Sequence, residues 1–231
     1  MRIVVIGAME KEIEFLLAKI GSYKTTKYFK YTFFEGEIFG NELIVTSCGI
    51  GKVASGLLVS ALVNYYKDIY LIINVGVSGG IKDRVNVGEV VVAKNLKYAD
   101  ADVTIFNYQY GQMPNCPESF PAVYDKVSNL GLDMNYRLGM IISGDQFYHK
   151  FSEVDKLINA YFKIDDVLCI DMESTALAHS AWFYNVDYLA IRAISDIIGS
   201  TSQDVEYEKN LELACTNSSL FLFEVLKNLK N

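Results

Sequence analysis

Three carboxylates stand where an apolar run gives way to the next segment: Glu12 after residues 2–6, Glu173 after 167–170 and Asp196 after 188–193. In open α/β sheets, ligands bind in the crevice beyond the carboxyl ends of the strands. Three acids gathered there, each beside apolar residues, can serve as proton donor, water activator and stabiliser of a cationic transition state. The same positions also suit acids that only meet the positive dipole end of a helix. The set of three says more than any member.

Glycines offer a competing chemistry. Gly49-Ile50-Gly51-Lys52-Val53-Ala54 matches the G-x-G-x-x-[GA] dinucleotide fingerprint. The acid that should close the next strand is missing, since Asp68 precedes it. A phosphate-binding P-loop fails as well, with Thr46 where glycine is needed and Val53 where Ser or Thr is needed. Close backbone approach or tight packing explains these glycines equally well. Gly76-Val77-Ser78-Gly79-Gly80 reads as a second flexible turn at a strand end. Phe147 and Tyr148 follow Ser143-Gly144-Asp145, where an aromatic can be core or a stacking platform. Met9 and Met172 flank two of the acids and fit gap-filling as readily as ligand contact.

Positioning these residues takes alternating strands and helices. Strands are expected at 2–6, 31–37, 42–47, 70–75, 89–93, 138–142, 167–170 and 188–193, and helices at 10–20, 52–66, 153–162, 173–183 and 207–229. The 31–37 and 42–47 segments form an antiparallel pair turning at Gly40-Asn41. Residues 98–121 hold all three prolines and many aromatics, and long excursions inside compact domains are usually functional. The expected architecture is a single α/β domain over 1–231, a three-layer sandwich with a central mixed, twisted sheet between helices.

Composition narrows the classes. Of 231 residues, 51% are hydrophobic, enough for a sizeable core. Lys plus Arg number 21 against 28 Asp plus Glu, a net charge of −7, which argues against a nucleic-acid binder. Cys48, Cys116, Cys169 and Cys215 are scattered and do not cluster with His149 or His179, so neither a disulfide framework nor a zinc site is expected. A reducing cytoplasm fits best. The opening apolar run meets Glu10, Lys11 and Glu12 too soon for a signal peptide, and no run approaches the roughly 18 apolar residues of a membrane span.

Six segments in order carry a family resemblance: Ile6-Gly7-Ala8-Met9-Glu10-Lys11-Glu12; Ser47-Cys48-Gly49-Ile50-Gly51-Lys52; Ala101-Asp102-Val103-Thr104 with Tyr110-Gly111-Gln112-Met113-Pro114; Ser143-Gly144-Asp145; Asp171-Met172-Glu173; and Arg192-Ala193-Ile194-Ser195-Asp196. Together they resemble the bacterial 5′-methylthioadenosine/S-adenosylhomocysteine nucleosidases of the nucleoside phosphorylase superfamily. The resemblance runs from the first residue to the last helix. It implies the nucleoside phosphorylase-like fold and hydrolysis of the N-glycosidic bond of 5′-methylthioadenosine and S-adenosylhomocysteine, with 5′-deoxyadenosine as a further substrate. It implies no cofactor and no metal.

The resemblance also implies roles. Asp196 matches the acid that protonates the purine at N7, and Glu12 the base that orients and deprotonates the attacking water. Glu173 matches the residue that binds the ribose hydroxyls, and Arg192 falls beside the water. Phe147 would stack on adenine while the Tyr148 backbone reads its edge. Met9, Ile50, Met172 and Tyr207 would line the sugar and 5′-thio pocket, with Val77, Ser78, Gly79 and Ser195 completing the substrate-binding set. In the family, the 98–121 segment reaches over the partner's ligand in a homodimer, and Val103, Phe106 and Pro114 are the matching lid positions. Two residues depart from the pattern: Val77 stands where a water-holding hydroxyl is usual, and Asp171 shortens a flanking glutamate.

Two other readings stay open. A phosphorylase on the same fold would want cations near the first loop, where this chain has Glu12. A noncatalytic nucleoside-binding relative is allowed by fold alone, but a mere binder gains little from burying three acids.

Overall fold

Alternate residues of the first strand, β1 (Arg2–Gly7), enter opposite hydrophobic cores: Ile3 and Val5 on one side, Val4 and Ile6 on the other, all fully buried. A strand buried on both faces reads as an unbroken apolar run and needs helices above and below it. The computed structural model, which describes residues 1–229, has both layers. After β1 come α1 (Glu10–Ile20), β2 (Lys24–Tyr28), β3 (Tyr31–Ile38), β4 (Asn41–Ser47), α2 (Lys52–Tyr65), β5 (Leu71–Gly80) and β6 (Val90–Tyr98). The chain continues through β7 (Phe120–Pro121), α3 (Asp125–Ser128), β8 (Arg137–Ser143), α4 (Phe151–Tyr161), β9 (Val167–Asp171), α5 (Ser174–Phe183), β10 (Asp187–Ile197) and α6 (Gln203–Asn228). Helices α2 and α5 cover one face through Leu58, Leu62, Leu177 and Ala181. Helices α1 and α6 cover the other through Ile13, Leu16, Phe221 and Val225.

The mixed sheet closes on itself at one end. β5 pairs in parallel with β10 along its length, with β1 over Leu71–Asn74, and antiparallel with β9 only at Gly79 and Gly80. β10 pairs with β6, β6 with β8 and β8 with β9, completing a five-strand ring. The segment Gly76–Gly80, expected as a flexible turn, is therefore the second half of β5. Its glycines are there for space: a Cβ on Gly80 would meet Val85 and Ile194 at 2.7 and 2.8 Å.

Two further expectations change. β6 and β10 both outrun their expected ends, and Asp196 lies inside β10 rather than beyond it. β2 was not expected, because Lys24-Thr25-Thr26-Lys27-Tyr28 is a polar edge strand without apolar alternation. The 98–121 excursion has a single 3-10 turn, Thr104–Phe106. Part of it packs on its own subunit, with the Tyr110 ring stacked on Tyr161 at 4.0 Å.

Candidate active site

Glu12 occupies the first turn of α1, where a buried acid meets free N–H groups. Its Oε2 accepts from the backbone N–H of Ala8 (2.6 Å) and Met9 (3.0 Å), and its Oε1 accepts from Val77 N–H of β5 (2.9 Å). The helix-capping role and a site role thus fall on the same carboxyl, fixed by three backbone donors, two from the turn between β1 and α1 and one from β5. Beside it lies Gly76, whose missing side chain leaves room for Glu12 Oε1 and Arg192 Nη1 to approach the same spot.

Asp196 owes its setting to a β-bulge. In the β10–β5 ladder Ile194 faces Ser78 and Asp196 faces Gly79, so Ser195 is the extra residue. Bulges re-aim side chains near functional sites. Here Ser195 Oγ donates to Asp196 Oδ1 at 2.6 Å, and Gln203 Nε2 donates to Oδ2 at 2.7 Å. Burial pushes the Asp196 carboxyl above its ordinary pKa, and these two hydrogen bonds pull the other way.

Glu173 caps α5, and its Oε1 accepts from Gly51 N–H at 2.9 Å. The Gly49–Gly51 turn thus spends a backbone donor on a carboxyl of the same chain, and the neighbouring Lys52 N–H goes to Asp145 Oδ1 at 2.8 Å. Both donors that a dinucleotide phosphate would want are engaged. Burial, reinforced by Asp171, pushes the Glu173 carboxyl up to about 7. Lys52 Nζ also grips Asp100 at 2.7 Å, and Asp100 Oδ2 accepts from Asp145 N–H at 2.9 Å. That network ties the α2 turn, the start of the excursion and the 144–148 loop together.

Arg192 lies behind the cavity wall, fully buried. Its Nε donates to Asp171 Oδ2 at 2.8 Å, while Nη2 stands 3.8 Å from Glu173 Oε2. Among the described residues neither Nη1 nor Nη2 has a hydrogen-bond partner, so two buried N–H-bearing atoms are left for something else. Asp171 organises this floor: Oδ1 accepts from Ser143 Oγ (2.5 Å) and from the N–H groups of Glu173 and Ser174, and Ser174 Oγ reaches Oδ2.

One cleft of about 740 Å³, measured out to its mouth, gathers these groups. Its lining includes Glu12, Glu173 and Asp196 together with Met9, Ile50, Val77, Ser78, Gly79, Phe147, Tyr148, Met172, Ser195 and Tyr207. Phe147 and Tyr207 meet edge to face at 5.8 Å, and Tyr207 Oη contacts Met9 Sδ at 3.8 Å. Val103, Phe106 and Pro114 are not on this wall, and Phe106 is 70% exposed. Sequence reading passed over Ala8, Gln146, Ile170, Asp171, Ile198 and Gln203 as lining residues. Only Asp171 carried a signal, as the acid two positions before Glu173.

The match of the whole chain to known proteins decides the family. Residues 2–227 fit the phosphorylase superfamily. A 5′-methylthioadenosine/S-adenosylhomocysteine nucleosidase from Bacillus thuringiensis is 35% identical, with all of both chains covered. The chain belongs to the 5′-methylthioadenosine/S-adenosylhomocysteine nucleosidase family. A relative of the same name from Maridesulfovibrio salexigens is 34% identical over 99% of this chain and all of that one. The crystal structure of the S-adenosylhomocysteine nucleosidase of Streptococcus pyogenes, solved with 5-methylthiotubericidin, superposes with a TM-score of 0.93 at 30% identity, covering 100% of this chain and 98% of the other. The chain thus shares the fold of a solved member of this nucleosidase family, and the nucleoside phosphorylase-like class expected from sequence is the class found.

Proposed function

We propose that the protein hydrolyses the N-glycosidic bond of 5′-methylthioadenosine and S-adenosylhomocysteine, with 5′-deoxyadenosine as a further substrate, releasing adenine and the 5-substituted ribose. The observation that carries this reading is the pair of buried carboxyls, Glu12 and Asp196, lining one cleft with different kinds of partners. Breaking the bond leaves a cationic sugar and a purine that departs well only when protonated. Asp196 delivers a proton to N7, and burial favours its protonated form. Glu12 takes the proton of the attacking water, an opposed arrangement like that of inverting glycosidases. The unpartnered Nη1 of Arg192, close to Glu12 Oε1 above Gly76, supplies a donor to hold that water. Glu173 binds the ribose hydroxyls and its negative charge favours the cationic ring. Phe147 stacks on the base, and the Tyr148 backbone reads its edge. The rest of the lining set, Met9, Ile50, Met172, Tyr207, Val77, Ser78, Gly79 and Ser195, shapes the sugar and 5′-thio pocket. No proton transfer in this scheme calls for a metal or an organic cofactor.

A second copy of the chain completes the site in this reading. Val53 and Leu57 of α2, Phe183 of α5, and Ile105 and Phe106 of the excursion are large apolar side chains in the open, as an interface would present. Val103, Phe106 and Pro114 would then cover the partner's 5′ substituent. No described helix is long and apolar enough to cross a membrane, and four free cysteines suit the cytoplasm. Incubation with methylthioadenosine, with and without phosphate, tests the reaction. Free adenine and 5-methylthioribose at a phosphate-independent rate are expected, whereas the 1-phosphate as main product would make the protein a phosphorylase.

A further inference from the structure

Gln203 opens α6 seven residues after Asp196, where the chain turns back over the base end of the cleft, and it is buried. Every polar group of its side chain is spent. Nε2 donates to Asp196 Oδ2 at 2.7 Å and to the Tyr148 carbonyl at 2.8 Å, and Oε1 accepts from Gly199 N–H at 2.8 Å. An amide nitrogen has two hydrogens and can only donate, so both partners must be acceptors. One partner is the carboxyl assigned to proton donation; the other belongs to the loop at the edge of the base.

We propose, on the nucleosidase reading above, that Gln203 is a positioning residue: it holds Asp196 Oδ2 in register with the Tyr148 loop and stabilises the carboxylate left once the proton has passed to the purine. The Ser195 hydroxyl on the other oxygen can turn to accept or donate, and so serves both protonation states. Gln203 cannot turn in this way, because Gly199 fixes which end of the amide faces the acid. Its hydrogen bond therefore favours the ionised form, against the burial that opposes it. The other titratable groups around Asp196 are Glu206 and Tyr207 on α6, with Tyr148, Asp171, Glu12 and Glu173 elsewhere in the cleft lining. Glu206 disfavours the ionised Asp196 by like charge.

The test is the pH profile of kcat/KM for methylthioadenosine hydrolysis in the wild type, Gln203→Met and Gln203→Glu. The rate of a general acid falls as pH rises through its pKa, so a weaker acid keeps its activity to higher pH. Gln203→Met, similar in length but without a donor, should move the alkaline limb up by about one pH unit and lower kcat about tenfold. Gln203→Glu, nearly isosteric and able to fold where Met does not, sets a second carboxyl against Asp196 and should move the limb further. An alkaline limb unmoved in both variants, at whatever rate, overturns the proposal and leaves Gln203 a structural brace. Absence of adenine release from the wild type would instead overturn the nucleosidase reading itself.

Discussion

Around Glu12 every hydrogen-bond donor is a backbone N–H, from Ala8, Met9 and Val77, whereas around Asp196 the donors are side chains, the Ser195 hydroxyl and the Gln203 amide. Both carboxyls are almost wholly buried, so the contrast is not one of exposure. Backbone donors are fixed by β1, α1 and β5 and cannot rotate to suit a protonated partner. A hydroxyl can. The difference matches a division of labour: a base that must present acceptors to water, and an acid that must be stable with and without its proton.

Exchanging one carboxyl for an amide strains the two halves of this comparison unequally. Glu12→Gln places an NH2 group against N–H donors on one side or the other, since Oε1 and Oε2 both accept. It should lower kcat by at least about 10³-fold and also lower Tm, with binding of a nonhydrolysable adenine nucleoside detectable by calorimetry. Near-normal turnover would remove Glu12 from the base role. Asp196→Asn should cost about 10²- to 10³-fold in adenine release with a smaller change in Tm, because the Ser195 hydroxyl can adjust. If the two variants lost equal stability, the contrast between fixed and adjustable donors would fail.

In the cleft floor, Asp171→Asn removes the nearer of the two carboxylates beside the buried Arg192 guanidinium. Breaking such a pair costs about 3–5 kcal/mol, measurable by urea unfolding. On the excursion, Phe106→Glu should shift sedimentation toward monomer and raise KM for methylthioadenosine roughly tenfold. A fully active monomer at assay concentration would rule out a shared site. The smallest effect concerns pH. Glu173 titrates near 4.5 unfolded and about 7 folded, so between those values the native state binds more protons than the unfolded chain. Stability should therefore fall as pH rises through that window, and Glu173→Gln should flatten the slope in denaturant titrations at several pH values. An unchanged slope would mean that burial of Glu173 does not cost what its surroundings imply.

The elements legible in the sequence were those whose side chains obey one period. Helix α1 has the bounds expected of it, because Ile13 and Leu16 face the core while Glu10 and Lys11 do not. The glycine run of β5 misled, since glycine signals a turn when nothing is known of what lies above it. Its real cause is the crowd of Glu12, Arg192, Val85 and Ile194 around Gly76 and Gly80, all but Val85 distant in sequence. The acids were visible as a set because each sits near an element boundary. Gln203 was not, since its meaning depends on α6 folding back over the bulge at Ser195, and no local pattern announces that return. On the excursion, where sequence alone shows only a crowd of aromatics, Phe106 is exposed while Tyr110 packs at home on Tyr161.

The strand ring also bears on how the chain is made. β10 closes the ring by joining β5 to β6, and it is the last strand to leave the ribosome. A nascent chain ending at Phe183 has already exposed Leu71, Ile73 and Val75, yet lacks the strand that covers their edge. It also lacks Arg192 and Asp196. Contacts of such long sequence separation form late and leave apolar edges waiting. The β5 edge therefore stays uncovered until β10 follows, and the cleft acquires its acid only once Asp196 has been made.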